Sequence, residues 1–288
     1  MAEQKTENQN DLRKLQLVEL DILKEFLRIC KKHHLRYYAL GGTLLGAVRH
    51  EGFIPWDDDV DIAFTRNNYE AFLKVVKRDL PATRELLMPN EFQGGKAFFD
   101  FTARVIYKNS RRHEDSPEVQ YYEGKLNHLW VDLFIIDELP ENKAAAEFTR
   151  LLHKSIYLLA MGHRYHLDFS KYSLFHKLAV GGGSAVGKLI PMKLIFKMQY
   201  AAALKDKHGR SSLCYYSNYQ PDYLYVTIQK KWCEEITDIE FEGETLMASK
   251  HAHEVLTWVY GDYMKLPPEA ERVPAHSTID IQVFDEEA

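Results

Sequence analysis

Cysteine, long apolar runs and excess positive charge are all scarce in this chain. Its three cysteines, Cys30, Cys214 and Cys233, have neither an even count nor paired spacing, which argues against a secreted disulfide framework and favours a reducing compartment. No apolar run reaches the roughly eighteen residues that a membrane-spanning helix needs. The amino-terminal stretch MAEQKTENQNDLRK lacks the apolar centre of a signal peptide. The sequence therefore predicts a cytoplasmic protein.

The net charge excludes one class of partner. A formal charge of −5 at pH 7 argues against nucleic-acid binding, because proteins that bind the phosphate backbone carry a basic surface. The 288 residues have 45% hydrophobic content, which is enough to bury a full core. We therefore expect an ordinary globular protein that has no nucleic-acid partner.

The sequence pattern changes along the chain. Residues 1–10 are polar and are predicted to form a disordered tail, and apolar residues then recur at helical spacing up to about Lys32. Short strands and helices alternate as far as Pro140, and helical periodicity dominates afterwards. We expect an α+β fold, in which residues 11–140 form a core with a mixed sheet and residues 141–288 form a mainly helical region that completes the site.

The segment LGGTLLGAVRHEGFIPWDDDVDIAF, residues 40–64, carries most of the candidate chemistry. Gly41 and Gly42 end a short strand, and their missing side chains would let the backbone approach a ligand closely. A helix capped by Thr43 should follow, so that amide groups at its start face an anion of phosphate size. Arg49 at the end of this helix is a candidate phosphate contact.

Aspartates alternate with apolar residues at the end of this segment. Asp59 and Asp61 are expected on one face of a strand, about 6–7 Å apart. Asp57 lies two residues before Asp59 and would point to the same face. Mg²⁺, or Mn²⁺ in its place, would relieve their repulsion if one or two carboxylates and substrate phosphates held the ion. A solvated acidic strand end is the alternative, but the preceding glycine turn favours the metal site.

A glycine turn, a helix and a strand with Asp-x-Asp resemble nucleotidyltransferase-fold enzymes, in which a later strand supplies a third carboxylate. Asp132 interrupts the apolar run HLWVDLFII, and a buried carboxylate needs a partner or a metal. We expect Asp132 to complete the metal site, with a structural salt bridge as the alternative. Arg104, in another predicted strand, either grips a phosphate oxygen or is a surface charge.

The same segment and one near the carboxyl end resemble the LicD family. The first match is GGTLLGAVR followed by GFIPWDDDVD, and the second comprises FEG at 241–243, YGDYM at 260–264 and LPP at 266–268. LicD proteins, which are similar to fukutin-related proteins, move a phospho-alcohol from a CDP-alcohol to a glycan hydroxyl. The resemblance implies a CDP-choline donor, release of CMP, and a glycan or lipid-linked saccharide as acceptor.

The resemblance also implies roles for individual residues. The glycine turn with Thr43 and Arg49 would hold the diphosphate, the metal would stabilise the developing charge, and Asp132 or Asp57 would take the proton of the acceptor hydroxyl. His276 lies in the matching tail and is predicted to reach the site. Two alternatives stay open: nucleotidyl transfer from a nucleoside triphosphate to a small acceptor, and a non-catalytic glycan- or nucleotide-binding module.

Three further patterns have two interpretations each. Residues 182–188 match most of a phosphate-binding P-loop, but Leu189 replaces the Ser or Thr that binds Mg²⁺, so we do not expect a P-loop. Lysines beside apolar residues at 188–197 would suit peripheral contact with an anionic membrane, although solvated lysines on a packed helix are favoured. Aromatic residues at 215–232 would either surround a choline headgroup or belong to the core.

Overall fold

The computed structural model of the chain describes residues 2–113, 115–171, 173–207, 209–274 and 281–284. The helices are α1 (Ala2–Lys32), α2 (Gly41–His50), α3 (Arg66–Asp79), α4 (Pro117–Tyr121), α5 (Lys143–Ala160), α6 (Leu174–Gly187), α7 (Met192–Leu204), α8 (Lys230–Glu234) and α9 (Ala252–Tyr260). The strands are β1 (Tyr38–Ala39), β2 (Asp61–Thr65), β3 (Arg84–Leu87), β4 (Ala103–Tyr107), β5 (Ser110–Arg111), β6 (Leu129–Leu139), β7 (Leu213–Tyr216), β8 (Ile228–Gln229), β9 (Ile236–Phe241), β10 (Glu244–Ser249) and β11 (Gln282–Val283).

A mixed sheet with strand order β1-β2-β6-β4-β3 forms the centre of the fold. Strands β2 and β6 run parallel, whereas the other neighbours in this order are antiparallel. The long strand β6 pairs with β2 along one edge and, along the other, first with β4 and then with β7, to which β8 is added. This topology places the first half of β6 directly beside β2, which begins at Asp61. Asp59 therefore precedes the strand on which it was predicted.

Helices α1 and α3 pack together on the sheet. Phe26 of α1 contacts Phe64 of β2 and Phe72 of α3, with ring centroids 5.6 and 5.3 Å apart. All three side chains are fully buried, which confirms the apolar stripes predicted for these helices. Helix α1 begins at Ala2 and so includes residues for which the composition predicts a disordered tail. A helix that packing has already anchored can extend one residue at a time, even through a polar sequence.

The chain after residue 140 adds strands as well as helices. Strand β7 extends the central sheet, and the hairpin β9–β10 packs against β1 and α2. Helices α5, α6 and α7 form a separate apolar cluster with Phe98 and Phe101. The fold is α+β as predicted, but the later region is less uniformly helical than its periodicity indicates, because strands of two to six residues show too little of their period. Strands from both sides of the predicted boundary near residue 140 share one sheet. The boundary itself stays a prediction.

The glycine-rich stretch lies within α6 and packs against α5. A Cβ atom at Gly183 would overlap the side chain of Leu158, and one at Gly187 would overlap the carbonyl oxygen of Leu159. Glycine at these two positions therefore allows the helices to pack this closely. The similarity to a P-loop has its origin in helix packing, in agreement with the expectation that no P-loop forms here.

Candidate active site

Charged side chains of three neighbouring strands form one row across the sheet. Asp61 of β2 is the register partner of Asp132 of β6, and Asp132 is in turn opposite Arg104 of β4. Neighbouring strands lie about 4.8 Å apart and register partners point to the same face, so the two carboxylates and the guanidinium lie side by side. The amide of Asp132 also donates to the carbonyl oxygen of Val60 over 3.0 Å. Strand pairing thus brings Asp132 next to the Asp-x-Asp motif.

Thr43 joins α2 to β2 and does not cap the helix. Its Oγ1 accepts a hydrogen bond from the amide of Asp61 over 2.9 Å. The N-cap position is Leu40, whose side chain makes no capping hydrogen bond. The predicted cap is therefore wrong, because the helix already begins at Gly41 and Thr43 lies inside its first turn. The buried hydroxyl instead fixes Asp61 relative to α2.

The two glycines make room for carboxylates. A Cβ atom at Gly42 would overlap Oδ2 of Asp57, and one at Gly41, whose φ is +54°, would lie 3.2 Å from Oδ2 of Asp61. Both carboxylates thus lie against the first turn of α2, where backbone amides and the helix dipole favour negative charge. Side chains of the protein itself thus lie where the glycines were predicted to let a ligand approach. Direct contact between this turn and a diphosphate stays a prediction.

Replacing Gly42 by alanine should lower turnover at least about tenfold, because even small displacements of reacting groups reduce rates strongly. The new methyl group overlaps only the end of the Asp57 side chain, which can rotate away. We therefore expect the thermal unfolding midpoint to change little. The matched control is Gly182→Ala in α6, where a Cβ atom meets nothing within 4 Å and turnover should not change. Unchanged turnover of Gly42→Ala would show that the position of Asp57 does not matter.

Two cavities meet at Asp59 and Asp61. The smaller, of about 260 Å³, we call the tyrosine cavity, because Tyr216, Tyr219, Tyr223 and Tyr260 line it together with the glycine turn and Asp57. The larger, of about 670 Å³, we call the arginine cavity, because Arg104 and Arg112 line it together with Asp132 and Trp130. Side chains common to both walls are Asp59, Asp61, Tyr219 and Tyr223. A ligand that spanned the two cavities would therefore pass over Asp59 and Asp61.

The tyrosine cavity has rigid aromatic walls. Tyr219 stacks on Tyr223 with ring centroids 4.1 Å apart and on Phe134 at 4.3 Å. Burial raises the pKa of Tyr219 and of Tyr260, and the charge of Asp61 raises both further, so both phenols stay neutral at physiological pH. Sequence reasoning missed Tyr260 as a site residue, although its place in the segment YGDYM was a usable signal. Tyr215, by contrast, is fully buried in the core.

Asp61 and Asp132 resist ionisation. Burial raises the pKa of Asp61 well above the usual aspartate value, and the charges of Asp59, Asp132 and Asp57 raise it further. Burial also raises the pKa of Asp132, and Arg104 offsets only part of this effect. When these carboxylates are ionised, their repulsion destabilises the site in a way that a bound cation would relieve.

Arg104 is an interior residue. Its two Nη atoms donate to the Asp100 carboxylate over 3.1 and 2.6 Å, and its Nε lies 3.0 Å from Oδ1 of Asp132, in an ion pair without hydrogen-bond geometry. Burial by itself lowers the pKa of Arg104, but Asp100 and Asp132 more than offset this and raise it above its usual value. Interpreting Arg104 as a surface charge is therefore wrong. The salt bridge considered for Asp132 exists, and Asp132 still faces the arginine cavity.

Sequence reasoning missed a second buried arginine. Arg112 is 1% exposed, its guanidinium lies 4.3 Å from the centre of the Trp130 ring, and its Nη2 lies 4.0 Å from Oδ2 of Asp58. Glu19 of α1 is fully buried nearby, and burial raises its pKa well above the usual value while Arg112 lowers it in part. The sequence signal for a buried cation in this region was Glu19, an acidic residue on the apolar stripe of α1. Arg112 supplies positive charge to the arginine cavity close to Asp58.

The donor set suits a hard divalent cation whose coordination a substrate completes. Among the described residues, no three His, Cys, Asp or Glu side chains are placed to form a metal site by themselves. Asp61 and Asp132 are nevertheless adjacent carboxylates, and Asp59 lines the same cavity. Mg²⁺ is commonly held by one or two carboxylates together with water and substrate phosphates. The residues present therefore fit such an ion.

Two predicted substrate contacts lie elsewhere or cannot be placed. Arg49 donates to the carbonyl oxygen of Tyr263 over 2.8 Å and to the ring of His50 over 2.9 Å. Its guanidinium lies 5.9 Å from the centre of the Trp56 ring, and Arg49 lines neither cavity in the described part of the chain. Its role as a phosphate contact stays a prediction. His276 lies outside the described residues.

Known proteins are similar in sequence to parts of this chain or to most of it. The family profile described as LicD/FKTN/FKRP, nucleotidyltransferase domain, matches residues 34–157. The lipopolysaccharide cholinephosphotransferase LicD of Haemophilus influenzae is 30% identical over 279 residues, which cover 92% of this chain and 96% of that protein. The chain belongs to the LicD family. The human ribitol 5-phosphate transferase FKRP is 32% identical to this LicD-family protein over 120 residues, or 42% of this chain and 20% of the human protein.

The family profile covers only part of the site. Residues 34–157 include the glycine turn and the aspartates of β2 and β6. The four tyrosines that define the tyrosine cavity lie beyond this range. In this LicD-family protein the row of Asp61, Asp132 and Arg104 thus lies within the matched nucleotidyltransferase domain. The tyrosines of the tyrosine cavity come from the region that follows it.

Proposed function

We propose that this protein transfers a phospho-alcohol, specifically phosphocholine, from a CDP-alcohol to a sugar hydroxyl of a cell-surface glycan precursor and releases CMP. One observation carries the proposal: Asp59 and Asp61 line both the tyrosine cavity and the arginine cavity, and Asp132 lines the arginine cavity beside Asp61. Such a junction would allow donor and acceptor to be held in line on either side of one cation. The activities named for the Haemophilus and human relatives support a phospho-alcohol as the transferred group.

The tyrosine cavity favours a choline headgroup. Ring faces attract quaternary ammonium ions, and four tyrosines line this cavity. Carboxylates of Asp57 and Asp59 on the same wall add negative charge. A volume of about 260 Å³ is small and suits a headgroup better than a whole nucleotide. In this proposal the cytidine part of the donor or the acceptor sugar occupies the larger arginine cavity.

The proposed chemistry is an in-line displacement. The acceptor oxygen forms a bond to the phosphorus that carries the alcohol, and the bond from this phosphorus to the oxygen bridging to CMP breaks. One or two Mg²⁺ or Mn²⁺ ions, held by Asp59, Asp61 and Asp132, would stabilise the charge that develops on the phosphoryl and leaving oxygens. The acceptor proton passes to Asp132 or Asp57. A raised pKa makes the ionised form of Asp132 a stronger base.

The deciding experiment measures CMP release by the purified protein. CDP-choline, CDP-ethanolamine, CDP-ribitol and CDP-glycerol are each supplied with Mg²⁺, with and without an extract that contains acceptor glycans. We expect CMP release to be fastest with CDP-choline and to need the extract, with the label of the choline moiety recovered in glycan. Turnover of CDP-ribitol or CDP-glycerol alone would overturn the choline assignment while keeping the reaction class. The similarity to the ribitol 5-phosphate transferase makes CDP-ribitol the main competitor.

Two results would contradict the reaction class itself. Release of pyrophosphate from a nucleoside triphosphate, without CMP release from any CDP-alcohol, would indicate nucleotidyl transfer to a small acceptor. Unchanged glycan decoration in cells that carry only the Asp59→Ala variant would indicate a non-catalytic binding module.

Replacing Tyr223 by leucine should raise KM for CDP-choline about two- to fivefold, since a cation–π contact at a partly exposed ring contributes about 0.5–1 kcal/mol. The matched control is Tyr225→Leu. The two tyrosines are 47% and 50% exposed, but only Tyr223 lines the cavities. Steady-state kinetics with CDP-choline and CDP-glycerol measure the effect. An equal loss with both donors, or an equal loss in the control, would count against a choline-binding role for this wall.

A further inference from the structure

The segment that contains α6 and α7 differs in charge from the rest of the chain. Between Asp168 and Asp206 the sequence contains six lysines and no acidic residue, although the chain as a whole has a net charge of −5. Lys177, Lys188 and Lys193 are exposed. A positive stretch of this length on an acidic protein indicates an anionic partner at this part of the surface.

The same segment exposes large apolar side chains. Leu174 and Leu178 on α6 are 76% and 70% exposed, Val186 is 53% exposed, and Leu189 just after the helix is 84% exposed. The spacing of Leu174 and Leu178 places both on one side of the helix. The opposite side is already buried, since Gly183 and Gly187 pack against α5. This outward side is therefore not part of the core, and several large apolar side chains exposed on one short segment are typical of an interaction site.

We propose that the exposed leucines and lysines of α6, α7 and the turn between them dock the protein onto an anionic lipid bilayer. Leu174, Leu178, Lys188, Leu189 and Lys193 define this surface, which we call the docking face. Leucines that enter the headgroup region and lysines that remain among lipid phosphates are the two components of interfacial helix binding. A second copy of this chain paired through the same surface would bring lysines against lysines, so the bilayer matches both components better. In the described part of the chain no single helix is long and apolar enough to cross a bilayer, whereas the bent pair His176–Gly187 and Met192–Leu204 together match a span in length and composition.

The docking face lies on helices that also support the arginine cavity. Phe101 packs against Tyr157 of α5 and Phe196 of α7, with ring centroids 5.9 and 5.8 Å apart. Its neighbours Asp100 and Thr102 line that cavity. Docking would therefore hold this cavity near the membrane, where a saccharide attached to a lipid is found. The docking itself does not depend on the proposed reaction.

Co-sedimentation with vesicles tests the proposal. The full chain is mixed with vesicles of phosphatidylcholine alone or with about one third phosphatidylglycerol, at low and high salt. We expect binding to the anionic vesicles only, and weaker binding at high salt. Lys188→Gln with Lys193→Gln should weaken binding about 25-fold, at roughly fivefold per lysine. Leu178→Gln with Leu189→Gln should weaken it by at least about tenfold per leucine.

Control substitutions separate docking from overall charge and folding. Lys74→Gln with Lys143→Gln removes the same charge from exposed positions in α3 and α5 and should leave binding unchanged. Leu17→Gln removes a leucine that is 48% exposed on α1 and should also have no effect. Circular dichroism and the thermal unfolding midpoint confirm folding of each variant. Retention in the supernatant with anionic vesicles, or equal binding by all variants, overturns the proposal. A dimer that the Leu178→Gln and Leu189→Gln pair converts to monomer would assign the face to self-association instead.

Discussion

Replacing Asp61 by asparagine should stabilise the protein in the absence of divalent cations and abolish turnover. Burial and the neighbouring carboxylates raise the pKa of Asp61 in the folded state. The unfolded chain therefore releases this proton at lower pH than the folded chain, and stability falls as pH rises from about 4, the ordinary aspartate pKa, to the raised value. Above that range the ionised carboxylate destabilises the folded state, and asparagine removes this destabilisation.

Thermal unfolding between pH 4 and pH 8 in a chelating buffer measures this effect. The Asp61→Asn variant should match the parent near pH 4 and unfold at a higher temperature near pH 8. Added Mg²⁺ should raise the unfolding temperature of the parent more than that of the variant, because binding to the folded state adds to stability. CMP release should fall by at least about a thousandfold in the variant, as expected when a group that stabilises developing charge is removed. The control is Asp238→Asn, an exposed carboxylate on β9.

Two results would contradict this prediction. A variant that is less stable than the parent near pH 8 would show that Asp61 makes stabilising contacts when it is ionised. Near-normal turnover with a raised unfolding temperature would show that Asp61 does not take part in the chemistry. The expected combination, more stable and inactive, is typical of groups that are held in an unfavourable environment for function.

Replacing Arg104 by alanine should lower the free energy of unfolding by about 3–5 kcal/mol, because removing one partner leaves buried charge without compensation. Its guanidinium holds Asp100 through two hydrogen bonds and pairs with Asp132. All three side chains are mostly buried, at 6%, 6% and 14% exposed. The loss should be far larger than that for an exposed arginine.

Urea unfolding of both variants provides the comparison. Arg78→Ala, whose side chain is 67% exposed, should cost less than about 1 kcal/mol even though Arg78 also pairs with an aspartate. Adding Asp100→Asn to Arg104→Ala should recover part of the loss, because it removes one uncompensated carboxylate. Equal midpoints for the two single variants, or no recovery in the double variant, would contradict the view that Arg104 neutralises this part of the sheet.

Patterns over short distances predicted much of the fold. Helical spacing of apolar residues located α1, α3 and α5, and alternation around Asp61 located β2. Asp132 stood out because an acidic residue in an apolar run needs a partner, and the structure places it beside Asp61. Such inferences succeed where burial imposes a strict period on consecutive residues. They fail for β8 and β11, which are two residues long and show no period.

The sequence by itself determined that the chain carries an acidic motif after a glycine turn, that a third carboxylate lies in an apolar strand, and that the motifs resemble one family. Only the tertiary structure decided that Arg104 lies opposite Asp132, that Thr43 binds the amide of Asp61, and that Tyr260 lines the site. Local sequence encodes which side of an element is apolar. Register and the approach of distant segments depend on free-energy differences summed over the whole packed core, so no short window of residues can reveal them.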